Sequence, residues 1–121
     1  MKPTASIVLA LILCLLPAVT GCGKDDAEKT DAELGLNEQQ AHGRRVFKIY
    51  CANCHRPYST QDLKGPGLKG VFKKQYLPSG LLANDNFAEN AILRGRNMMP
   101  PMGNSLSRSE IENVIAYLHT L

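Results

Sequence analysis

The middle of this 121-residue chain is the stretch that most limits how it can fold. Arg56 to Asp85 carries Gly65, Pro66, Gly67, Gly70, Pro78 and Gly80, and no run in it alternates apolar and polar residues as a strand would. At most one short helix fits there, around Val71 to Tyr76. Helical patterns flank it on both sides. An all-helical domain of about 85 residues with so long an irregular segment buries too little apolar surface to stand unaided. Small domains meet that shortage with disulfides, a metal or a cofactor. Something large and apolar is needed at the centre.

Three helices are legible. Asn37 and Gln40 make a capping pair, with Leu36 as a hydrophobic staple, and Ala41, Phe47 and Tyr50 form an apolar stripe that Val46 and Ile49 widen. Gly43 sits in the middle of that helix, where it costs about 1 kcal/mol relative to Ala, so a partner backbone is expected to pass close to it. A second helix is expected over Asn86 to Leu93, with Phe87, Ala91 and Ile92 inward and Gly95 closing it. The last opens on the Ser107/Glu110 capping box and places Ile111, Val114, Ile115 and Leu118 at helical spacing.

The N-terminus reads as an address rather than as fold. Met1 to Gly21 has one lysine, an apolar run from Ala5 to Val19 and then small residues, the anatomy of an export signal. The run falls short of the roughly 20 residues that span a membrane comfortably. Val19-Thr20-Gly21-Cys22 resembles a bacterial lipoprotein box, which implies that Cys22 becomes the first mature residue and carries lipid. The alternative is an ordinary signal cut nearby, with Cys22 an incidental thiol. In Gly23 to Gly35, two lysines against five acidic residues leave a charge of −3 and almost no large apolar side chain. Such a segment reads as a flexible tether with an end-to-end distance of roughly 20 Å. The domain from Leu36 to Leu121 has eleven Lys/Arg against six Asp/Glu and is therefore at +5.

Two motifs carry the chemistry. Cys51-Ala52-Asn53-Cys54-His55 is the attachment signature for c-type haem. Cysteines three apart lie on one side of a helical turn and can form thioethers along one porphyrin edge, while the adjacent histidine projects toward the iron. A zinc site wants four ligands, and His42 and His119 are the only other imidazoles. A thioredoxin-like dithiol follows a strand, and this one follows a helix. Cys14 lies in the signal and Cys22 at the lipid site, so no further cysteine remains to make a structural disulfide with the motif. The second motif is Met98-Met99-Pro100-Pro101-Met102.

From Leu36 to Leu121 the chain resembles a class I cytochrome c domain. The likeness rests on Gly43 and Phe47 ahead of the haem motif, on Gly65-Pro66-Gly67-Leu68, on a helix ending in Gly95, on Met99-Pro100, and on Tyr117-Leu118 in the last helix. It implies an all-α cytochrome c fold: three to five helices wrapped around one covalent haem c, the N- and C-terminal helices crossing at Gly43. It also implies that Cys51 and Cys54 bind the haem, that His55 is the proximal iron ligand, and that the Pro66 carbonyl accepts the His55 Nδ1 proton. The sixth ligand is expected to be methionine, whose soft neutral sulfur favours ferrous iron. Met99 is the first candidate, because Pro100 holds it extended and it stands four residues after Gly95. Met102 and then Met98 are the lesser ones, with pocket or surface packing as their other role.

Residues 1–21 are expected to be a lipoprotein-type signal, 22–35 the lipidated cysteine and acidic tether, and 36–121 the haem domain. A six-coordinate haem leaves no open position, so the chain is expected to carry one electron between respiratory-chain partners and not to act as an enzyme or bind a small-molecule substrate. The lipid would hold it on the periplasmic side of the envelope, or on the outer face of a Gram-positive membrane. Lys64, Lys69, Lys73 and Lys74 would offer a positive rim to acidic redox partner proteins; nucleic acid is not among the expected partners. Two alternatives stay open: a haem subunit of a larger oxidoreductase, and a peroxidase or gas sensor if the methionine is labile.

Overall fold

The computed structural model describes residues 23–121. The readings on Met1 to Cys22, the export signal and the lipid site, lie outside the described residues. Three α-helices follow in order, α1 (Glu38–Tyr50), α2 (Asp85–Arg94) and α3 (Arg108–Leu118), with one 3₁₀ turn at Val71–Lys73. Among the described residues no strand forms, and pairing is confined to two isolated bridges, Tyr76 with Leu82 and Arg96 with Met99. No described helix is long and apolar enough to cross a membrane.

Each helix starts where its sequence supplies a cap. The Asn37 side chain accepts from Gln40 N and the Gln40 side chain accepts from Asn37 N, a reciprocal box that satisfies two otherwise orphaned donors. Ser107 and Glu110 repeat the arrangement at α3. Asn84 caps α2 through Phe87 N, so α2 begins at Asp85, one residue earlier than the sequence pattern implied. Gly95 ends α2 with φ 71°, a conformation that any side chain would strain.

α1 packs mainly on α3, and α2 more lightly on α3. Val46 and Phe47 meet Ile111, Val114, Ile115, Tyr117 and Leu118 in the core, and Phe47 stands edge-on to Tyr117 with centroids 5.5 Å apart. The close approach expected at Gly43 is present: a methyl group there would overlap Asn113 O and touch Tyr117 Cβ at 3.0 Å. The apolar stripe of α1 is narrower than its sequence suggests. Tyr50 is 39% and Ile49 72% exposed, because only the side of α1 that carries Val46 and Phe47 faces α3. α2 likewise turns Ala88 and Ile92 inward and leaves Phe87 at the edge, 36% exposed. The short helix expected over Val71 to Tyr76 is reduced to the 3₁₀ turn, which buries Val71 alone.

The acidic segment also departs from expectation. Instead of a free coil, residues 25–36 form turns, with Glu28 N donating to Asp25 O, Leu34 N to Thr30 O, Gly35 N to Ala32 O and Leu36 N to Asp31 O. The cause is Arg44, whose side chain is only 3% exposed. Its Nη1 donates to Asp31 Oδ1 at 2.7 Å, and its Nη2 to Lys29 O at 2.7 Å and Ala27 O at 3.3 Å. A buried guanidinium needs acceptors, and this segment supplies them.

Helix propensity alone says that Gly43→Ala should stabilise the protein by about 1 kcal/mol. The overlap with a backbone carbonyl gives the opposite sign. We expect Gly43→Ala to destabilise by about 1–3 kcal/mol, read as a lowered midpoint in denaturant titration.

Candidate functional site

The site grows out of the end of α1. Cys51 is the C-cap, with its N–H and that of Ala52 both donating to Phe47 O, and Cys51 O in turn accepts from Cys54 N at 3.0 Å and His55 N at 2.9 Å. The helix thus closes into one further turn that carries both thiols and the imidazole. Cys51 and Cys54 are free thiols, each half-buried. Burial, and then the neighbouring Cys54, push the Cys51 thiol up to about 11, so it is neutral at pH 7.

The glycine–proline stretch comes back against this turn. Gly65 N donates to Cys54 O at 2.8 Å and Leu68 N to Arg56 O at 2.9 Å, so the loop is stitched to the residues on either side of His55. His55 Nδ1 lies 2.9 Å from Pro66 O. A carbonyl oxygen can only accept, so Nδ1 carries the proton and Nε2 is left as the basic nitrogen, free to bind a metal. Gly65 packs flat on the ring: a Cβ there would stand 2.7 Å from His55 Cε1 and 3.0 Å from Nδ1. The requirement at position 65 is therefore contact with an imidazole.

On the far side of α2 the chain makes a tight reversal. Arg96 N donates to Met99 O at 3.1 Å and Met99 N to Arg96 O at 2.9 Å, with Asn97 at φ 55°. Asparagine tolerates that left-handed conformation better than most residues. Gly95 lies under the reversal, where a Cβ would meet Met99 O at 2.5 Å and Pro101 N at 2.8 Å. The turn sorts the methionines. Met98, at its tip, is 89% exposed, whereas Met99 and Met102 are partly buried and pack on the core. Met102 N is tied to Ile92 O at 2.9 Å.

Lys64, Lys69, Lys73 and Lys74 are all exposed, but Lys73 Nζ donates to Leu121 O at 2.8 Å and so is partly committed. His42 and His119 are exposed as well: His42 Nδ1 lies 3.1 Å from Asn113 Nδ2, and His119 stacks on Phe72 and lies 2.7 Å from Asp85 Oδ1. Two residues near the site were not singled out from sequence. Tyr58, three residues past His55, accepts a 2.9 Å hydrogen bond from Tyr117, whose phenol is pushed well up by burial and then by that bond. Arg44 is the other, and its signal was a charge one residue past Gly43 on a face that otherwise buries Val46 and Phe47.

These residues fit a covalently attached porphyrin. Two unpaired thiols lie on one turn, and the neighbouring imidazole is held with its metal-binding nitrogen free. Partly buried apolar side chains, Ala52, Leu68, Phe72, Met99 and Met102, line the edge of the core, while Leu63, Tyr76 and Leu82 in the irregular segment remain exposed. Tyr76 and Leu82, paired across an isolated bridge, leave adjoining apolar surface for such a group to cover. Among the described residues no three His, Cys, Asp or Glu side chains gather to hold a bare metal ion.

Gly65→Ala is expected to displace the His55 ring and to cost about 1–3 kcal/mol of stability by overpacking. The adjacent exposed Lys64→Ala should stay within about 0.5 kcal/mol of the parent. Parallel denaturation curves of the two variants check this.

Comparison with known proteins agrees with the geometry. Residues 38–118 match the family model described as cytochrome c oxidase, cbb3-type, subunit III. Cytochrome c6 of Diacronema lutheri is 39% identical over 83 residues, covering 64% of this chain and 90% of that protein. A cytochrome c6-like protein of Nostoc is 31% identical over 81 residues, covering 67% and 69% respectively. Cytochrome c6 of Synechococcus is 33% identical over 78 residues, covering 64% and 66%. No solved structure gives a significant match. The matched region runs from the first turn of α1 to the end of α3, so the haem-binding turn and both terminal helices fall within it. A helix pair crossed at glycine, a Cys-x-x-Cys-His turn and these relatives together place the chain in the cytochrome c family, as a class I c-type cytochrome that holds haem c covalently and carries electrons rather than acting as an enzyme.

Proposed function

We propose that this protein is an exported, lipid-anchored one-electron carrier whose haem iron is held by His55 and Met99. The observation that carries the reading is the His55–Pro66 pair. The 2.9 Å bond from Nδ1 fixes the ring and leaves Nε2 as the only nitrogen able to meet iron. Cys51 and Cys54 would bond the porphyrin edge on the same turn. Met99 is favoured for the opposite axial position because the 96–99 reversal turns it inward and sends Met98 to solvent. Met102 is the lesser candidate.

The haem would supply a reversible one-electron couple. The chain's own part would be to hold the iron through His55 and Met99 and to exclude water with the partly buried side chains Leu68, Phe72 and Met102. A neutral thioether opposite an imidazole favours the reduced iron and raises the potential. Residues 1–21 would be removed as a signal, Cys22 acylated, and residues 36–121 would form the haem domain on the outer side of the membrane. Lys64, Lys69 and Lys74 would steer acidic redox partners toward it. A second reading, a haem subunit of a larger oxidoreductase, is favoured by the description of the matching family as an oxidase subunit. Copurification of the native protein with fixed partners would support that reading over a free carrier.

The ligand assignment has a direct test. Met99→Ala should abolish the weak far-red sulfur-to-iron band of the ferric protein and lower its potential by a sizeable fraction of the ~0.8 V that axial ligands span. Met98→Ala should leave both unchanged. Loss of the band in Met102→Ala with its retention in Met99→Ala would reverse the assignment. For the basic rim, electron exchange with the anionic oxidant ferricyanide should slow as salt is added, and Lys64→Glu with Lys69→Glu should remove most of that salt dependence.

A further inference from the structure

We propose that Arg44 latches the acidic segment onto the crossing of the terminal helices, and so moves the point where the N-terminal chain leaves the domain from Leu36 back to Ala27. Three acceptors of that segment converge on one guanidinium: the Asp31 carboxylate and the Lys29 and Ala27 carbonyls. Arg44 follows Gly43, where α1 and α3 meet, and its side chain is buried, so the latch is attached to the helix crossing itself. Its Nε is buried without a partner among the described residues, so the bonds that its two terminal nitrogens make to the segment are what compensate its burial. The segment is also shaped to be held. Glu33 accepts from Thr30 N and Thr30 Oγ1, Asp26 pairs with Lys29 at 2.6 Å, and Lys24 reaches Glu33 at 3.0 Å. A net charge of −3 on this strap faces a domain at +5.

The consequence for anchoring rests on the reading of Cys22 as the lipid site. With residues 27–36 docked, residues 23–26 are tied to the strap only through the Lys24–Glu33 and Asp26–Lys29 pairs, and once these open they leave a reach of roughly 15–20 Å. With the latch open the free chain runs to Leu36 and reaches roughly 50 Å. Arg44 therefore sets how far the haem domain can stand from the membrane and how freely it turns.

Hydrogen–deuterium exchange on the full haem-loaded protein reads the latch without reference to lipid. In the parent, the amides of Leu34, Gly35 and Leu36 should be protected. Arg44→Gln should speed their exchange about ten- to a hundredfold, the effect of losing bonds to a charged group. Because Arg44→Gln could disturb the helix crossing, Asp31→Asn is the second variant: it should speed the same amides and leave α1 and α3 untouched. Coil-like exchange of residues 27–36 in the parent, or unchanged protection in both variants, overturns the latch. The leash is read by binding the acylated protein to phosphatidylethanolamine/phosphatidylglycerol vesicles that carry a headgroup fluorophore, which the haem quenches at short range. Both variants should lose quenching; equal quenching in the parent and both variants overturns the leash. A parent protein that does not partition onto the vesicles refutes the lipid reading, and exchange alone then decides the latch.

Discussion

One backbone contact organises this molecule: α1 and α3 approach so closely at Gly43 that the carbonyl of Asn113 occupies the space of a side chain. That approach brings Phe47 against Tyr117 and builds the only deep core the described residues have. It also fixes the direction in which α1 ends, and the haem-binding turn is the continuation of that end. Cys51, Cys54 and His55 take their positions from hydrogen bonds back to Phe47 and Cys51. The site is thus referred to the helix crossing through a single turn of backbone, with no flexible joint between.

Beyond that crossing, the chain substitutes polar stitching for hydrophobic volume. The segment from Arg56 to Asp85 contributes little to the core apart from Val71 and Leu77. It is held by main-chain bonds to the haem-binding turn, by the His55–Pro66 bond and by the Tyr117–Tyr58 hydroxyl pair. Individually such bonds contribute about 0.5–1.5 kcal/mol, so a frame of this kind is modest in strength until the cofactor fills its apolar side. The same bonds that steady the loop also orient the metal-binding imidazole. Stability and site geometry are therefore drawn from one set of contacts.

The parts of this structure that could be read from sequence are those set by short-range chemistry. Asn37/Gln40 and Ser107/Glu110 announced the starts of α1 and α3, because caps act within three residues. Gly43 announced a close approach because glycine in a helix has a cost that something must offset. The haem motif was legible because Cys-x-x-Cys-His is local, whereas the packing of Met99 and not Met98 against the core is set by the 96–99 reversal. Periodicity was less reliable at the edges. It assigned Tyr50, Ile49 and Phe87 inward, but which side of an apolar stripe is covered depends on which side the neighbouring helix packs against. Arg44 and the acidic segment were illegible for a related reason. Composition gave the segment no means of burying apolar surface, yet what holds it is a buried cation brought near by the fold.

The reversal at Arg96 to Met99 carries a last implication, for the history of the sequence. Two adjacent thioethers face opposite ways there, sorted by the number of residues between Gly95 and Pro100 together with the left-handed turn at Asn97. Loss or gain of one codon in that interval would exchange their roles without altering the composition of the loop. Drift in length should accordingly be forbidden between Gly95 and Pro100, while the exposed tip itself stays open to almost any side chain.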